Sequence, residues 1–275
     1  MKTILVPTDL RPSTEVALSV AADIAKIYNA SIILLHSVVY PAQSVAYSGT
    51  ISVTTDTMIK DFYDAEREAE KAMQLLIAQK KYQNVNIKIE LITNGDGMVS
   101  DITRQAADLI VMTSQGASGL EELLFGSNAE VIVRHAHCPV LIVKEAIERF
   151  QPQNIVCAID TDDRLKTIHH YPFQMGERGL QKFLYVFTPT DGKVAEGIHQ
   201  WMSDFARAKG ITEYELILRT AKSVQEGIIA YAEETNADLI VLFTHGYKGL
   251  RHLLSGSVAE DVLNHSRIPV LVMRV

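Results

Sequence analysis

The sequence predicts an α/β protein of two tandem doubly wound domains, residues 1–145 and 152–275, each a five-stranded parallel sheet with helices on both faces. Short apolar, β-branched runs alternate with helical stretches, and this alternation restarts after a charged linker at 144–153. Residues 116–143 and 246–273 align without a gap and are identical at 13 of 28 positions. A repeat with this long a period indicates a duplicated domain rather than a solenoid.

Composition narrows the class of protein. The net charge of −7 leaves no broad basic surface for a nucleic acid backbone. The two cysteines, Cys138 and Cys157, are too few for a disulfide framework and are expected to be reduced. No apolar run approaches the roughly 20 residues that span a bilayer. We therefore expect a cytoplasmic protein that binds neither nucleic acid nor membrane.

The first copy is predicted to alternate strands and helices from its first residues. Ser13 is the expected N-cap of the first helix, which runs to Lys26. The segment 40–56, rich in Ser, Thr, Gly and Ala, is expected to form a loop over one end of the sheet. Strands are predicted at 3–7, 31–39, 85–93, 107–114 and 139–143, and further helices at 56–81, 98–107 and 127–135.

The second copy repeats this order in a shorter form. It lacks a counterpart of the 40–56 loop, and its first helix is expected to be short or irregular because that stretch contains Pro172. Asp160 stands where Asp9 stands in the first copy. Its strands are predicted at 154–160, 184–189, 213–219, 237–244 and 269–273.

The carboxyl ends of the strands are the expected ligand edge of a doubly wound sheet. In the first copy these ends carry Thr8-Asp9 and the stretch 113–116, and Gly126-Ser127 opens a helix further along. Free N–H groups and the helix dipole make such a helix start an anion site, and an acidic residue opposite can accept from a ribose or an adenine amine. The alternative is that Gly-Ser only caps the helix and the other glycines only form turns.

The repeated pattern resembles the universal stress protein family. The resemblance rests on Gly116-x9-Gly126-Ser127, which AEVIVRHAHCPVLIV follows, and on Gly246-x9-Gly256-Ser257, which AEDVLNHSRIPVLVM follows. The opening ILVPTD and the later SIILLHSV also fit. It implies that two domains pair through their fifth strands, here PVLIV and PVLVM within one chain. It also implies a stress-response module that binds ATP or AMP, with Mg²⁺ if ATP is bound.

The resemblance assigns nucleotide-binding residues by position. In the first copy they are Pro7, Thr8, Asp9, Ser37, Val38, Met112, Thr113, Gly116, Gly126, Ser127 and Asn128. In the second copy the matching set is Asp160, Phe187, Thr244, Gly246, Gly256, Ser257 and Val258. Asp9 would contact the adenosine, residues near Ser37 and Val38 would flank the adenine, and the glycines with their neighbours would hold phosphates.

The two copies depart from the family pattern at its first glycine. Thr113 replaces it in the first copy and Phe243 in the second, so the first copy is expected to respond to ligand and the second to act mainly as a pairing partner. The alternative function is a scaffold or interaction protein of the same family that binds no nucleotide. For either function, a homodimer and unknown protein partners are candidate assemblies.

No catalytic residue and no metal site is predicted. Regulation by binding, with at most slow hydrolysis, is expected, because no serine-nucleophile motif and no paired carboxylates for two metals are found. His36 is expected to be a satisfied core histidine, and His135 and His265 to complement the carboxyl ends of helices. His169 and His170 lack the neighbours of a zinc site.

Overall fold

The structure of the chain is a computed structural model. It describes residues 1–38, 56–93, 97–114, 126–167, 181–244 and 258–275. Residues 40–55 of the predicted loop and most of the irregular stretch around Pro172 lie outside these residues. The chain divides into two compact units, Met1–Thr113 and Ser114–Val275. This division follows contacts rather than the sequence repeat, so the domain limits at 145 and 152 stay a prediction.

The first unit contains four parallel strands in the order β3-β2-β1-β4. The chain runs outward from β1 to β3 and then returns to the other side of β1, which is the strand reversal of a doubly wound sheet. Helix α1 packs on β1, β2 and β4, α2 on β3, and α3 on β2. The elements are β1 (Thr3–Pro7), α1 (Ser13–Tyr28), β2 (Ser31–Ser37), α2 (Asp56–Ile77), a 3-10 helix (Lys80–Tyr82), β3 (Asn86–Ile92), α3 (Met98–Arg104) and β4 (Leu109–Thr113).

The second unit has the strand order β5-β10-β9-β6-β7-β8. Its segment β8-β7-β6-β9 repeats the reversal of the first unit, and these strands are parallel. The predicted α/β class and doubly wound order are confirmed. The elements are α4 (Ser127–His135), β5 (Val140–Val143), β6 (Ile155–Ala158), a 3-10 helix (Asp163–Thr167), β7 (Gln181–Phe187), α5 (Ala195–Lys209), β8 (Tyr214–Thr220), α6 (Val224–Glu234), β9 (Leu239–Thr244), α7 (Val258–His265) and β10 (Val270–Arg274).

The predicted pairing of the two fifth strands is confirmed. β5 and β10 run antiparallel, with Leu271 opposite Leu141 and Val272 opposite Val140. All four residues of β5 are buried, and so are the first four of β10. An unpaired apolar edge would expose a row of backbone N–H and C=O groups, and the pairing covers both edges at once.

An aspartate at the start of each fourth strand ties it to the start of the first strand. Asp108 Oδ2 accepts from the N–H groups of Lys2 and Thr3, at 2.5 and 2.9 Å. Asp238 Oδ2 accepts in the same way from Gln153 and Asn154, both at 2.9 Å. The duplication therefore preserves the bonding of the strand starts as well as the strand order.

Several element ends differ from the prediction. The prediction of Ser13 as an N-cap is wrong: α1 begins at Ser13, and Pro12 occupies the cap position without a side-chain hydrogen bond. A turn in which Thr14 N donates to Arg11 O already leads into the helix. Helix α2 ends at Ile77 and not at 81, because a separate 3-10 turn follows it.

Within the described residues, no helix is long and apolar enough to cross a bilayer.

Substitution of alanine for two helical glycines of the second unit should change the free energy of unfolding in opposite directions. A Cβ on Gly227 in α6 would lie 2.6 Å from Val186 Cγ1, whereas a Cβ on Gly197 in α5 would meet its nearest atom, Val194 Cγ2, at 3.9 Å. We expect Gly227→Ala to lower the free energy of unfolding by about 1–3 kcal/mol through overpacking. Gly197→Ala should raise it by about 0.5–1 kcal/mol. Urea denaturation measures both, and equal effects would contradict this packing.

Lys144, which follows β5, should give the stability a pH dependence. Burial lowers the pKa of its ammonium to about 8, and Nζ donates to the Asn264 carbonyl at the end of α7, at 2.8 Å. The unfolded chain keeps this proton up to about pH 10.4. Between pH 8 and 10 the unfolded state therefore binds more protons, so the contribution of Lys144 to stability rises with pH.

The measurement is the free energy of unfolding from pH 7 to 10 for the wild type and Lys144→Met. Groups common to both proteins cancel in the difference. We expect the difference to move in favour of the wild type as the pH rises above 8, and a difference that stays flat would show that Lys144 titrates normally.

Candidate functional site

In the first unit, several of the predicted nucleotide-binding residues lie at the carboxyl ends of three neighbouring parallel strands. Pro7 ends β1, Ser37 ends β2 and Thr113 ends β4. β1 is hydrogen-bonded to both other strands, so these ends share one edge at the point of strand reversal. The predicted residues Thr8, Asp9, Val38 and Met112 belong to the same three strand ends.

A short hydrogen-bonded turn follows β1. Thr8 is buried, and its Oγ1 lies 2.8 Å from the hydroxyl of Thr14, also buried, while it accepts from Leu10 N at 2.9 Å. Asp9 Oδ1 accepts from Arg11 N at 3.1 Å, and the Arg11 guanidinium lies 3.5 Å from Oδ2. The turn holds the Asp9 carboxylate at the strand end.

The same turn requires a left-handed residue in both copies. Leu10 has φ 65° and Thr161 has φ 62°. Asp160 Oδ1 accepts from Asp162 N at 3.0 Å, as Asp9 accepts from Arg11. A left-handed backbone is costly for a residue other than glycine and is typical of functional sites. The two aspartates therefore sit in equivalent backbone settings.

The end of β2 carries a polar pair that the sequence did not reveal. Ser37 Oγ donates to Asp101 Oδ2 at 2.6 Å, and Asp101 is only 4% exposed. Asp101 belongs to α3, which packs on β2. The backbone is also engaged here, since Val38 N donates to Ile92 O at 2.8 Å. A single aspartate in a short helix gives no sequence signal for this contact.

The predicted phosphate residues are described only in part. Gly126 has extended backbone angles and α4 begins at Ser127 without a side-chain cap, so the cap provides no acceptor for the first N–H groups. Gly126 N donates to Ser114 O at 2.9 Å, and Asn128 is exposed. Gly116 lies outside the described residues, and so does the side chain of Ser127.

Several of the predicted positions at the equivalent edge of the second copy carry larger or apolar side chains. Phe187 ends β7 where Ser37 ends β2, and its ring packs edge-on against Tyr185 at 5.1 Å between centroids. Thr244 is buried and its hydroxyl donates to Met273 O at 3.4 Å. Val258 is exposed at the start of α7, and Phe243 is half-buried on β9. Gly246, Gly256 and Ser257 lie outside the described residues.

A lysine that the sequence analysis did not single out occupies this second edge. Lys193 Nζ donates to the Asp160 carbonyl at 2.7 Å and also to the Thr161 hydroxyl. It lies 5.5 Å from the centroid of the Tyr185 ring, whose hydroxyl donates to Asp191 at 2.6 Å. Burial and this hydrogen bond raise the pKa of the Tyr185 hydroxyl, which therefore stays protonated at neutral pH.

The histidines bond to backbone carbonyls. His36 Nδ1 lies 2.7 Å from Thr8 O, so this histidine has a partner as predicted, but it is half-buried and not a core residue. His135 and His265 reach the carbonyls of Val131 and Asp261, at 2.9 and 2.8 Å, in the last turns of α4 and α7. Among the described residues, no three His, Cys, Asp or Glu side chains form a group that could hold a metal ion. His169 and His170 lie outside them.

The chain belongs to the universal stress protein family. The model of this family matches residues 1–144 and again 153–274. A universal stress protein of Synechocystis sp. is 25% identical over 296 residues, which cover 100% of both chains. A universal stress protein of Methanocaldococcus jannaschii is 30% identical over 147 residues, 52% of this chain and 82% of that protein. The resemblance found in the sequence is confirmed.

A solved structure shows the same fold over the full length. The crystal structure of a universal stress protein from Archaeoglobus fulgidus superimposes with a TM-score of 0.72 at 22% identity, covering 99% of this chain and 96% of that one. This likeness concerns the fold. The tandem doubly wound arrangement is therefore shared with a protein whose sequence has diverged widely.

The left-handed turn after β1 predicts an unusual order of stability at position 10. Elsewhere, glycine is usually less stable than alanine by about 0.5–1 kcal/mol, but at φ 65° alanine pays a steric cost that glycine avoids. Both substitutions remove the same partly exposed leucine side chain. We therefore expect Leu10→Gly to have a higher free energy of unfolding than Leu10→Ala by roughly 1 kcal/mol, measured in urea. The usual order would contradict a left-handed Leu10.

Proposed function

We propose that this universal stress protein binds an adenine nucleotide, ATP or AMP, through its first copy and acts as a regulatory stress-response module. The observation that carries the proposal is the polar edge of the first unit. The ends of β1, β2 and β4 meet at the strand reversal, and they carry Thr8, Asp9 and Ser37. Ligands of doubly wound sheets bind at this point.

The proposed role of each residue follows from its chemistry. The Asp9 carboxylate is acceptor-only when ionised and suits ribose hydroxyls. Thr8, Ser37 and Val38 would line the base, with Pro7, Met112 and Thr113 beside them. Phosphates, with Mg²⁺ when ATP is bound, are assigned to Gly116, Gly126, Ser127 and Asn128. The uncapped start of α4 supports this assignment, because its N–H groups and dipole favour an anion.

We propose that the second copy serves mainly as the pairing partner. Its β10 pairs with β5. The Lys193 ammonium already donates to the carbonyl of Asp160, and Phe187 stands in place of Ser37. Lys193 thus already has internal partners at this edge, and the side chain of Phe187 offers a base no hydrogen bond. The residues assigned to a second nucleotide site therefore rank below those of the first copy.

The test is a calorimetric titration of the purified, nucleotide-stripped chain with Mg-ATP, and two matched variants sharpen it. We expect one site per chain. Asp9→Ala should weaken binding roughly tenfold or more, because it removes a charged hydrogen-bond acceptor. Asp160→Ala alters the equivalent turn of the second copy and should leave the affinity and the stoichiometry unchanged.

Other outcomes separate the candidate functions. Two sites per chain, or a loss of affinity in Asp160→Ala alone, would contradict the asymmetry between the copies. The absence of heat, together with no thermal shift at millimolar nucleotide, would rule out a nucleotide site, because any ligand of the native state stabilises it by mass action. The scaffold function of the same family would then be the one to test.

A further inference from the structure

The hydrogen bond between Ser37 and Asp101 determines where the hydroxyl proton of Ser37 points. The oxygen atoms are 2.6 Å apart, within the range of a bond from a hydroxyl to a carboxylate. An ionised carboxylate only accepts, and a serine hydroxyl has a single proton to donate. The Ser37 proton is therefore committed to Asp101, and towards any other neighbour the Ser37 oxygen can only accept.

The burial of Asp101 keeps the Ser37 proton in this hydrogen bond. Asp101 is only 4% exposed on α3, and the helix packs on β2. A buried carboxylate that lost its donor would carry a large desolvation cost, so the serine proton stays on this bond. Ser37 itself is only half-buried, at the end of β2. It is thus a hydroxyl of fixed polarity at the ligand edge.

The second copy has no equivalent pair. Asp101 and Gly227 occupy equivalent positions in their helices. Each lies four residues after the N-cap residue, which is Gly97 for α3 and Ser223 for α6. Phe187 ends β7 as Ser37 ends β2. The serine–aspartate pair of the first copy is thus a phenylalanine and a glycine in the second. The shared frame of strand and helix does not require the polar pair.

We propose that Ser37, oriented by Asp101, selects a nucleotide base that carries an amino group over one that carries a keto oxygen at the same position. The amino group of adenine donates to the acceptor lone pairs of Ser37. The keto oxygen of hypoxanthine or guanine faces those lone pairs without a proton between them. Ser37 is the contacting residue and Asp101 a positioning residue. The inference rests on the proposed nucleotide site.

The test compares ATP with ITP, which carry the same ribose and phosphates. ITP has a keto oxygen in place of the amino group, and its neighbouring ring nitrogen N1 carries a proton. Calorimetry on the full-length chain should show wild-type binding of ATP roughly tenfold or more tighter than that of ITP, since two acceptors that a bound base covers from water and leaves unpaired are costly. Asp101→Asn keeps the shape but can donate to Ser37 and free its proton. We expect the ratio of the two affinities to fall towards one.

Asp108→Asn is the matched control. Asp108 lies in the same unit and bonds to the backbone at the opposite end of β1. This variant should keep the wild-type ratio. A purely structural role of Asp101 would weaken ATP and ITP alike and leave the ratio unchanged in Asp101→Asn, which would overturn the inference.

Ser37→Ala provides a second reading if Asp101→Asn does not fold. It deletes the selecting oxygen, and the ratio should again fall towards one. Wild-type protein that binds ATP and ITP equally would overturn the inference while leaving the nucleotide site in place. Wild-type protein that binds neither would overturn the proposed function, and the inference with it.

Discussion

The antiparallel pairing of β5 with β10 is the constraint on which the second unit depends. All four residues of β5 are buried, so water cannot satisfy the backbone N–H and C=O groups along the strand. Neighbouring strands must therefore bond to them. β10 is such a neighbour, and its other edge bonds to β9, which bonds to β6. The strand order of the unit thus follows from the need to cover two apolar edges. Duplication of the domain within one chain supplies the second edge at high effective concentration.

The two copies keep the frame and vary the chemistry of the ligand edge. The strand order, the aspartates Asp108 and Asp238, and the left-handed residues Leu10 and Thr161 recur in both. These features set the backbone conformation of the fold, so both copies retain them. Side chains at the strand ends face fewer packing demands. One copy can therefore carry a serine and an aspartate where the other carries a phenylalanine and a glycine without a change of fold.

The polar contacts of the strand ends explain how the asymmetry arises. In the first copy, buried hydroxyls and a carboxylate are paired with one another, so their desolvation is offset. In the second copy, Lys193 bonds to the backbone carbonyl of Asp160, and the side chain of Val186 packs against Gly227. Each edge is satisfied internally, but the first copy carries the Ser37–Asp101 pair where the second carries Phe187 and Gly227.

The sequence by itself determined the fold class, the duplication and the positions of nearly all the strands. These depend on periodicity and on apolar composition, which are local properties. The short apolar runs at 3–7 and 139–143 form strands whose central residues are buried, as expected for a sheet covered on both faces. It also predicted which strand ends carry polar residues, because parallel strands place their carboxyl ends on one edge. It placed the N-cap of α1 at Ser13 and not at Pro12, because the turn in which Thr14 N donates to Arg11 O has no signal in the capping pattern.

Only the tertiary structure decided which polar groups meet. Ser37 and Asp101 are 64 residues apart, and Lys193 and Asp160 are 33 apart. No local pattern encodes such contacts, because they depend on how a helix docks on a strand and on which rotamers remain once the core is packed. For the same reason the sequence could assign Ser37 to the ligand edge but not the direction of its proton, which a buried carboxylate on a distant helix determines.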